Sequence, residues 1–508
     1  MQINVLDYLE MGALLKCPQK IAVKEANRAY TFREIERFAK NCSALILART
    51  SALRQPIPVF LPKSGASIVA DIGILYTGNA YANLDIKSPL EKLKLILDNL
   101  NPDVIVTCAQ QATTLKALGI TEEKLLLTES AMVDDTLYDN ETLLRRLDST
   151  IDTDAYCLIH TSGSTGLPKA VALNHRSTID FADWAFGRLN LDGSEVIGSL
   201  APIYFDAYTL ELCVMMAKGA TVIVVPDNLA MFPVKLVEFV AANRVNFVFW
   251  VPTIMVNIAN LDLLANRELE LLTKVFFIGE VFPTKQLNYW RRHLPKAMFV
   301  NLYGPIEITV ACTYYIVDRE LSDDEKLPIG LACRNTEILI LNDLNQLAGV
   351  DEQGEICVRG SSLALGYYNN PERTAKGFVQ NPLNSRYPEL IYRTGDIGCR
   401  NHRGEIIFLG RKDFQIKHLG FRIELGEIEH AMLQMDGIRN CCVVYNQNEK
   451  EIALFYECDK ELTPAFIRER LSRKLPKYML PMAFHWLEQM PRNPNGKIDR
   501  ARLVARAS

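Results

Sequence analysis

The sequence predicts an α/β protein. It has a large amino-terminal domain of mixed and parallel sheets with helices, a small β-rich subdomain, and a small α+β domain at the carboxyl end. Three observations predict it. From about residue 20 to 400, apolar β-rich runs alternate with amphipathic helical stretches, the pattern of βαβ units and mostly parallel sheets. Around 335–410 the alternation gives way to strands separated by glycine-containing turns. The remainder carries its own strands and an amphipathic helix. At 508 residues the chain is too long for one core, so two or more domains are expected.

The elements follow in order. Val59-Phe60-Leu61 is a short strand bracketed by prolines, and Pro89 to Asn99 has helical spacing. Val104 to Thr107 is a strand, as is Tyr156-Cys157-Leu158-Ile159-His160, whose apolar run reads as buried. Apolar Ala170 to Leu173 comes after a polar loop. Ala220 to Val225 and Phe247 to Val251 are further strands, with a helix at Val234 to Val240 between them. Turns at Asp351 to Gly354 and Asn401 to Gly404 punctuate the β-rich subdomain. A boundary is expected near Gly410-Arg411-Lys412-Asp413. Beyond it lie a strand at Phe414 to Lys417, a turn at Gly420, helices at Glu424 to Gln434 and Pro464 to Leu475, and strands at Cys441 to Tyr445 and Ile452 to Tyr456. No internal repeat or low-complexity segment is present.

Composition narrows the function classes. Net charge is −4, from 56 basic and 60 acidic side chains, which gives no reason to invoke nucleic acid or an anionic membrane. The twelve cysteines form no Cys-x-x-Cys and the seven histidines show no ligand spacing, so a structural zinc site is not expected. The cysteines read as reduced core residues of a cytoplasmic protein. The start lacks a signal-peptide pattern, and no apolar run reaches membrane-spanning length.

The most chemical stretch is Thr161-Ser162-Gly163-Ser164-Thr165-Gly166-Leu167-Pro168-Lys169. Glycines let backbone N–H groups approach an anion, and hydroxyls and a lysine complete a cradle for a polyphosphate. The Walker A spacing is absent. A flexible Ser/Gly linker has a similar composition, but the strand before the loop and the apolar run after it argue against one.

Further motifs follow across almost the whole chain: Tyr303-Gly304-Pro305-Ile306-Glu307, Gly354-Glu355-Ile356, Gly366-Tyr367-Tyr368, Tyr392-Arg393-Thr394-Gly395-Asp396, Gly410-Arg411-Lys412-Asp413, Gly420-Phe421-Arg422-Ile423-Glu424-Leu425-Gly426-Glu427-Ile428-Glu429 and Asn495-Gly496-Lys497-Ile498-Asp499. In type and order they resemble the adenylate-forming enzymes, which include acyl-CoA synthetases, luciferases and the adenylation domains of nonribosomal peptide synthesis. The resemblance implies a two-step ligase. A carboxylate attacks the α-phosphate of ATP and expels pyrophosphate; a thiol then displaces AMP. Two anions meet in the first step, so positive charge must sit between them.

The resemblance assigns Lys497 to that catalytic bridge. It assigns Thr161, Ser162, Gly163, Ser164, Thr165 and Lys169 to the phosphates, Glu307 to Mg2+, Asp396 to the ribose hydroxyls, Arg411 to ribose or phosphate, and Tyr303 to stacking on adenine. It places a hinge at Asp413, dividing an amino-terminal domain 1–412 from a mobile domain 413–508. The Gly420 turn and Gly426 lie on the face of that domain used in the second step. Position alone leaves plainer readings open: a solvated tail lysine for Lys497, surface ion pairs for Glu307, Asp396 and Arg411, and a core tyrosine for Tyr303.

Phe205-Asp206 matches adenylation domains for α-amino acids, in which the Asp pairs with the substrate ammonium; the residues alone also allow a helix N-cap. Aligned with the family's pocket positions, the wall reads Asp206, Ala207, Leu210, Phe249, Phe276, Ile278, Leu302, Val310 and Ala311. With no second charge and several bulky side chains, it implies a small apolar amino acid, unless these residues are ordinary core.

Two subfamilies are similar. Phe277 to Pro283 and Arg411 to Lys417 resemble D-alanine:carrier-protein ligases. Leu210, Phe249, Leu302 and Val310 resemble prolyl adenylating enzymes, and L-proline is the preferred expectation. No phosphopantetheine-site motif follows Lys497, so the expected second substrate is the thiol of a separate phosphopantetheinylated carrier protein. Ile306, Ala170 and Asn79 depart from the family pattern at a usual Thr, Gly and Gly. A nucleotide-binding module without turnover is the rival expectation.

Overall fold

A computed structural model describes residues 2–161, 168–265, 269–412, 415–446, 449–492 and 498–507. The chain forms two compact units. One comprises 1–84, 102–159 and 171–412; the other groups 85–101 and 160–170 with 413–508.

The larger unit is built on two sheets. The seven-stranded sheet runs in the order Gly366–Tyr367, Lys169–Asn174, Ala155–Thr161, Ala80–Asn83, Pro56–Phe60, Ile105–Thr107, Leu125–Leu127. The pairs that join Ala155–Thr161 through Leu125–Leu127 are parallel, and Gly366–Tyr367 closes one edge antiparallel. The nine-stranded sheet runs Leu331–Ala332, Thr313–Ile316, Met298–Tyr303, Lys274–Ile278, Phe247–Trp250, Val196–Ser199, Thr221–Val224, Ile21–Lys24, Ala29–Thr31. Its centre is parallel and its ends antiparallel. One hydrophobic core takes side chains from both sheets and from the helices Phe32–Leu47, Gly65–Tyr76, His175–Arg188 and Ala207–Lys218.

Local sequence explains where these helices start. Thr31 and Ser64 each close a capping box, with Glu34 and Ser67, at the heads of Phe32–Leu47 and Gly65–Tyr76. Gly65–Tyr76 is almost wholly apolar and buried, and a Cβ on its Gly73 would meet the Ala39 carbonyl oxygen at 2.8 Å, so a glycine is needed there for close helix packing. The departure at Asn79 has a structural reason. Its side-chain oxygen accepts from the Gln55 N–H at 2.9 Å and its amide donates to the Ala52 carbonyl at 3.1 Å, tying a loop that a glycine would leave untied.

The β-rich subdomain is a five-stranded sheet. Thr336–Leu341, Gly354–Gly360, Leu390–Arg400 and Phe378–Gln380 run in that order, and Ile406–Arg411 also pairs with Leu390–Arg400. In the second unit, a hairpin of Gln415–His418 and Phe421–Glu424 turns at Leu419 and Gly420, both with positive φ. A three-stranded sheet follows, of Ile438–Asn446, Glu451–Cys458 and Ala483–Leu487. The last pair is parallel, with the helix Pro464–Ser472 in the crossover. Ala483–Leu487 is not among the strands expected from sequence, although four of its five residues are apolar; all five are partly buried.

Candidate active site

The strands Leu390–Arg400 and Ile406–Arg411 form a hairpin whose turn is Asn401 to Gly404, and its register sets Asp396 opposite Arg411. Arg411 Nη1 lies 2.5 Å from Asp396 Oδ1 and donates to the Thr394 carbonyl at 3.3 Å. Tyr303, at the end of Met298–Tyr303, donates its hydroxyl to Asp396 Oδ2 at 2.5 Å. The Asp396 N–H donates to Thr394 Oγ1 at 3.0 Å. Only 4% of Asp396 is exposed, and burying a carboxylate calls for hydrogen-bonding partners such as these. Burial and the Asp396 charge push the Tyr303 hydroxyl pKa well up, so it remains a proton donor. The structure therefore brings Tyr303, Asp396 and Arg411 into one cluster.

Glu307 sits on the short 3-10 turn Ile306–Ile308, followed by Thr309 and Val310 at positive φ. It is fully buried, and Tyr367 donates its hydroxyl to Glu307 Oε1 at 2.7 Å. Tyr367 belongs to the Gly366-Tyr367-Tyr368 motif, to which sequence assigns no role. Its contact with a residue 60 positions away could not be read locally.

Asp206 stands before the helix Ala207–Lys218, and its side chain makes no capping bond to that helix. The N-cap reading is thereby removed. The residues expected to line the substrate wall come from the helix Ala207–Lys218, three parallel strands and the turn after Met298–Tyr303. Phe249 faces Phe276 across parallel strands, and Ile278 pairs with Leu302 on the next. Ala207, Leu210, Phe249, Phe276, Ile278, Leu302, Val310 and Ala311 all lie in one buried cluster. The alternate residues Val248, Trp250, Val275 and Phe277 point to the other face and into a different core. The two-residue period of the strands thus sends alternate residues into two different cores.

Two buried acids near this helix carry no signature in the sequence. Glu211 accepts from Ser199 Oγ at 2.5 Å, and burial pushes its pKa up to about 7 against the opposing charge of Lys63. Asp71 lies on the helix Gly65–Tyr76 with no exposed surface. It accepts from Tyr208 at 2.9 Å and Asn83 at 3.1 Å, and burial pushes its pKa up to about 7.

In the second unit, Lys169 is buried with its Nζ 3.3 Å from Glu424 Oε1, and Glu424 also accepts from Gln415 Nε2 at 2.6 Å. Lys92 and Glu427 form a buried pair at 2.8 Å. The Thr161 hydroxyl and both ring nitrogens of His160 are buried without hydrogen-bond partners among the described residues. Burial, with the Lys92 charge acting the same way, pushes the His160 imidazole down to about 4. Polar groups left open beside the loop suit a polar ligand; His160 is not singled out by its sequence. Ser162, Gly163, Ser164, Thr165, Asp413 and Lys497 lie outside the described residues.

Residues 13–368 match the family model described as AMP-binding enzyme. The chain belongs to the AMP-binding enzyme family. Residues 427–497 of this AMP-binding enzyme match the AMP-binding enzyme C-terminal domain. These are the adenylate-forming ligases. The chain is 29% identical to tyrocidine synthase 1 of Brevibacillus parabrevis over 96% of its own length and 43% of that protein's. It is 28% identical to zwittermicin A synthase ZmaJ of Bacillus cereus, over 97% of this chain and 93% of that one. Several relatives are far longer: the chain spans 7% of tyrocidine synthase 3. Among solved structures, the Vibrio cholerae adenylation domain AlmE, in complex with glycyl-adenosine-5'-phosphate, superposes with a TM-score of 0.84. It is 22% identical, with 99% of this chain and 97% of that one covered. An artificially fused adenylation-PCP di-domain from Klebsiella oxytoca gives a TM-score of 0.80 at 19% identity, over 95% of this chain and 94% of that one. At these identities the likeness establishes the fold: a large amino-terminal and a small carboxy-terminal part of an adenylation domain.

Proposed function

We propose that this AMP-binding enzyme activates a small apolar amino acid, L-proline by preference, as its aminoacyl adenylate, and passes it to the phosphopantetheine thiol of a carrier protein. The observation that carries the reading is Asp206. It stands at the head of a buried helix, makes no capping bond to it, and directly precedes Ala207 of a wall with no second charge. A carboxylate so placed selects an ammonium group and leaves the side chain to apolar contacts. D-alanine is the alternative, favoured by the likeness of Phe277 to Pro283 to D-alanine ligases.

The substrate carboxylate attacks the α-phosphate and pyrophosphate leaves; the thiol sulfur then attacks the acyl carbon and AMP leaves. Asp396 and Arg411 hold the ribose, Tyr303 holds Asp396 and stacks on adenine, and the segment from Thr161 to Lys169 holds the phosphates. Lys497 bridges the substrate carboxylate and the α-phosphate in the first step. Glu307 suits Mg2+, a hard cation that takes one or two carboxylates along with phosphate oxygens. When bound, the ion would neutralise phosphate charge. The carrier partner is supported by fold neighbours that contain adenylation and PCP domains together. We assign a hinge at Asp413 between domains 1–412 and 413–508, and a cytoplasmic setting, which suits twelve free cysteines.

ATP–pyrophosphate exchange with L-proline, D- and L-alanine, glycine and serine tests the reading. Exchange is expected to be fastest with proline, and neighbours differing by a methylene should be excluded by only about 10–200-fold. Fastest exchange with D-alanine would select the alternative. No exchange with any amino acid would leave a nucleotide-binding module without turnover.

A further inference from the structure

We propose that Asp71 is a positioning residue for Asp206, acting through Asn83 and Tyr208; this rests on the amino-acid reading above. The helix Gly65–Tyr76 is buried on all sides, and Asp71 is its one charged residue. Apolar packing alone does not call for a carboxylate at a position with no exposed surface. Its Oδ2 gathers two donors that touch the Asp206 corner, one from within the following helix and one from a distant strand. Tyr208, two residues after Asp206, donates its hydroxyl at 2.9 Å. Asn83, at the end of the strand Ala80–Asn83, donates its amide at 3.1 Å, and the same nitrogen lies 3.3 Å from the carbonyl of Ile203, three residues before Asp206. Ile203, Tyr208 and Asn83 are themselves buried.

Between these two anchors the chain makes a tight corner. Phe205 N–H donates to the Pro202 carbonyl at 3.1 Å, Tyr208 N–H to the Phe205 carbonyl at 3.2 Å, and Thr209 N–H to the Asp206 carbonyl at 2.9 Å. Asp206 makes no side-chain capping bond to the helix. Asp71 therefore clamps the corner from outside, from one oxygen, on two rigid elements. The carboxylate that receives the ammonium is aimed by a second acid that does not touch the substrate.

The test is exchange kinetics with the amino acid that supports the fastest exchange, comparing Tyr208→Phe, Asp71→Ala, Asp71→Asn and Asp206→Asn. Tyr208→Phe removes one hydrogen bond to Asp71 and should raise the amino-acid KM about tenfold while leaving the ATP KM within about twofold. Asp71→Ala should raise the amino-acid KM further. Asp71→Asn keeps an acceptor oxygen for both donors and should restore it to within about twofold of wild type. The proposal is overturned if Tyr208→Phe leaves the amino-acid KM unchanged, if both KM values rise together, or if Asp71→Asn is as damaging as Asp71→Ala. Should Asp71→Ala fail to fold, Tyr208→Phe decides. Asp206→Asn separates the two levels. A raised amino-acid KM there with none in Tyr208→Phe sinks the positioning role alone; an unchanged one in Asp206→Asn sinks the amino-acid reading and the positioning role with it.

Discussion

Asp396 is held in a buried position by Arg411 and Tyr303, which approach it from two strands. Removing one member of a buried pair strands the other, at about 3–5 kcal/mol. Arg411→Met should therefore lower the melting temperature and raise the ATP KM at least tenfold, with the amino-acid KM little changed; an unaltered ATP KM would remove Arg411 from the nucleotide site. Asp71 makes the opposite kind of prediction. Its pKa is pushed from the ordinary 3.8 up to about 7, so the folded state favours the neutral carboxyl. Its contribution to stability is full below about pH 4 and is lost as pH rises toward 7. The titratable groups that feel its charge are Cys42, Tyr81, Tyr156, Cys157 and Tyr208, all neutral across that range because burial raises each of them. Glu211 shifts in the same direction and adds to the slope. Asp71→Asn should gain melting temperature over wild type at pH 8 and show a smaller gain at pH 5.5; an equal difference at both would contradict the assigned ionisation.

Among the elements, the turn after Met298–Tyr303 connects the Tyr303–Asp396–Arg411 cluster to the buried residues Val310 and Ala311. A Cβ on Gly304 would lie 2.7 Å from the Ala311 Cα and 2.7 Å from the Val310 carbonyl oxygen. Both are backbone atoms and cannot rotate away. Gly304→Ala should push the Val310–Ala311 segment outward, destabilise the fold by about 1–3 kcal/mol and raise the amino-acid KM. Thermal melts and exchange kinetics check both; a variant with wild-type values would show that the segment yields. The hairpin turn at Leu419 and Gly420 has φ values of 53° and 82°. Gly420→Val places a β-branched residue where the left-handed region is required, and should loosen the hairpin. If that hairpin serves the thiol step, transfer to the carrier should fall more than exchange does.

For the whole molecule, the role proposed for Lys497 predicts that the two half-reactions can be separated. Lys497→Ala should abolish ATP–pyrophosphate exchange while transfer from a supplied aminoacyl adenylate survives; equal loss of both would contradict its role in the first step alone. The sequence by itself determined the fold class, the order of elements, the glycine turns and the family, because period, turn chemistry and motif spacing are local properties of the chain. It also marked Tyr303, Glu307, Asp396 and Arg411 individually. Only the tertiary structure decided how such residues combine. Tyr303 meets Asp396 across 93 positions, Tyr208 meets Asp71 across 137, and Lys169 meets Glu424 across 255. Parallel sheets bring together strands far apart in the chain, so a buried acid such as Asp71 looks in sequence like a flaw in an apolar helix. Packing supplies the two donors that give it a purpose.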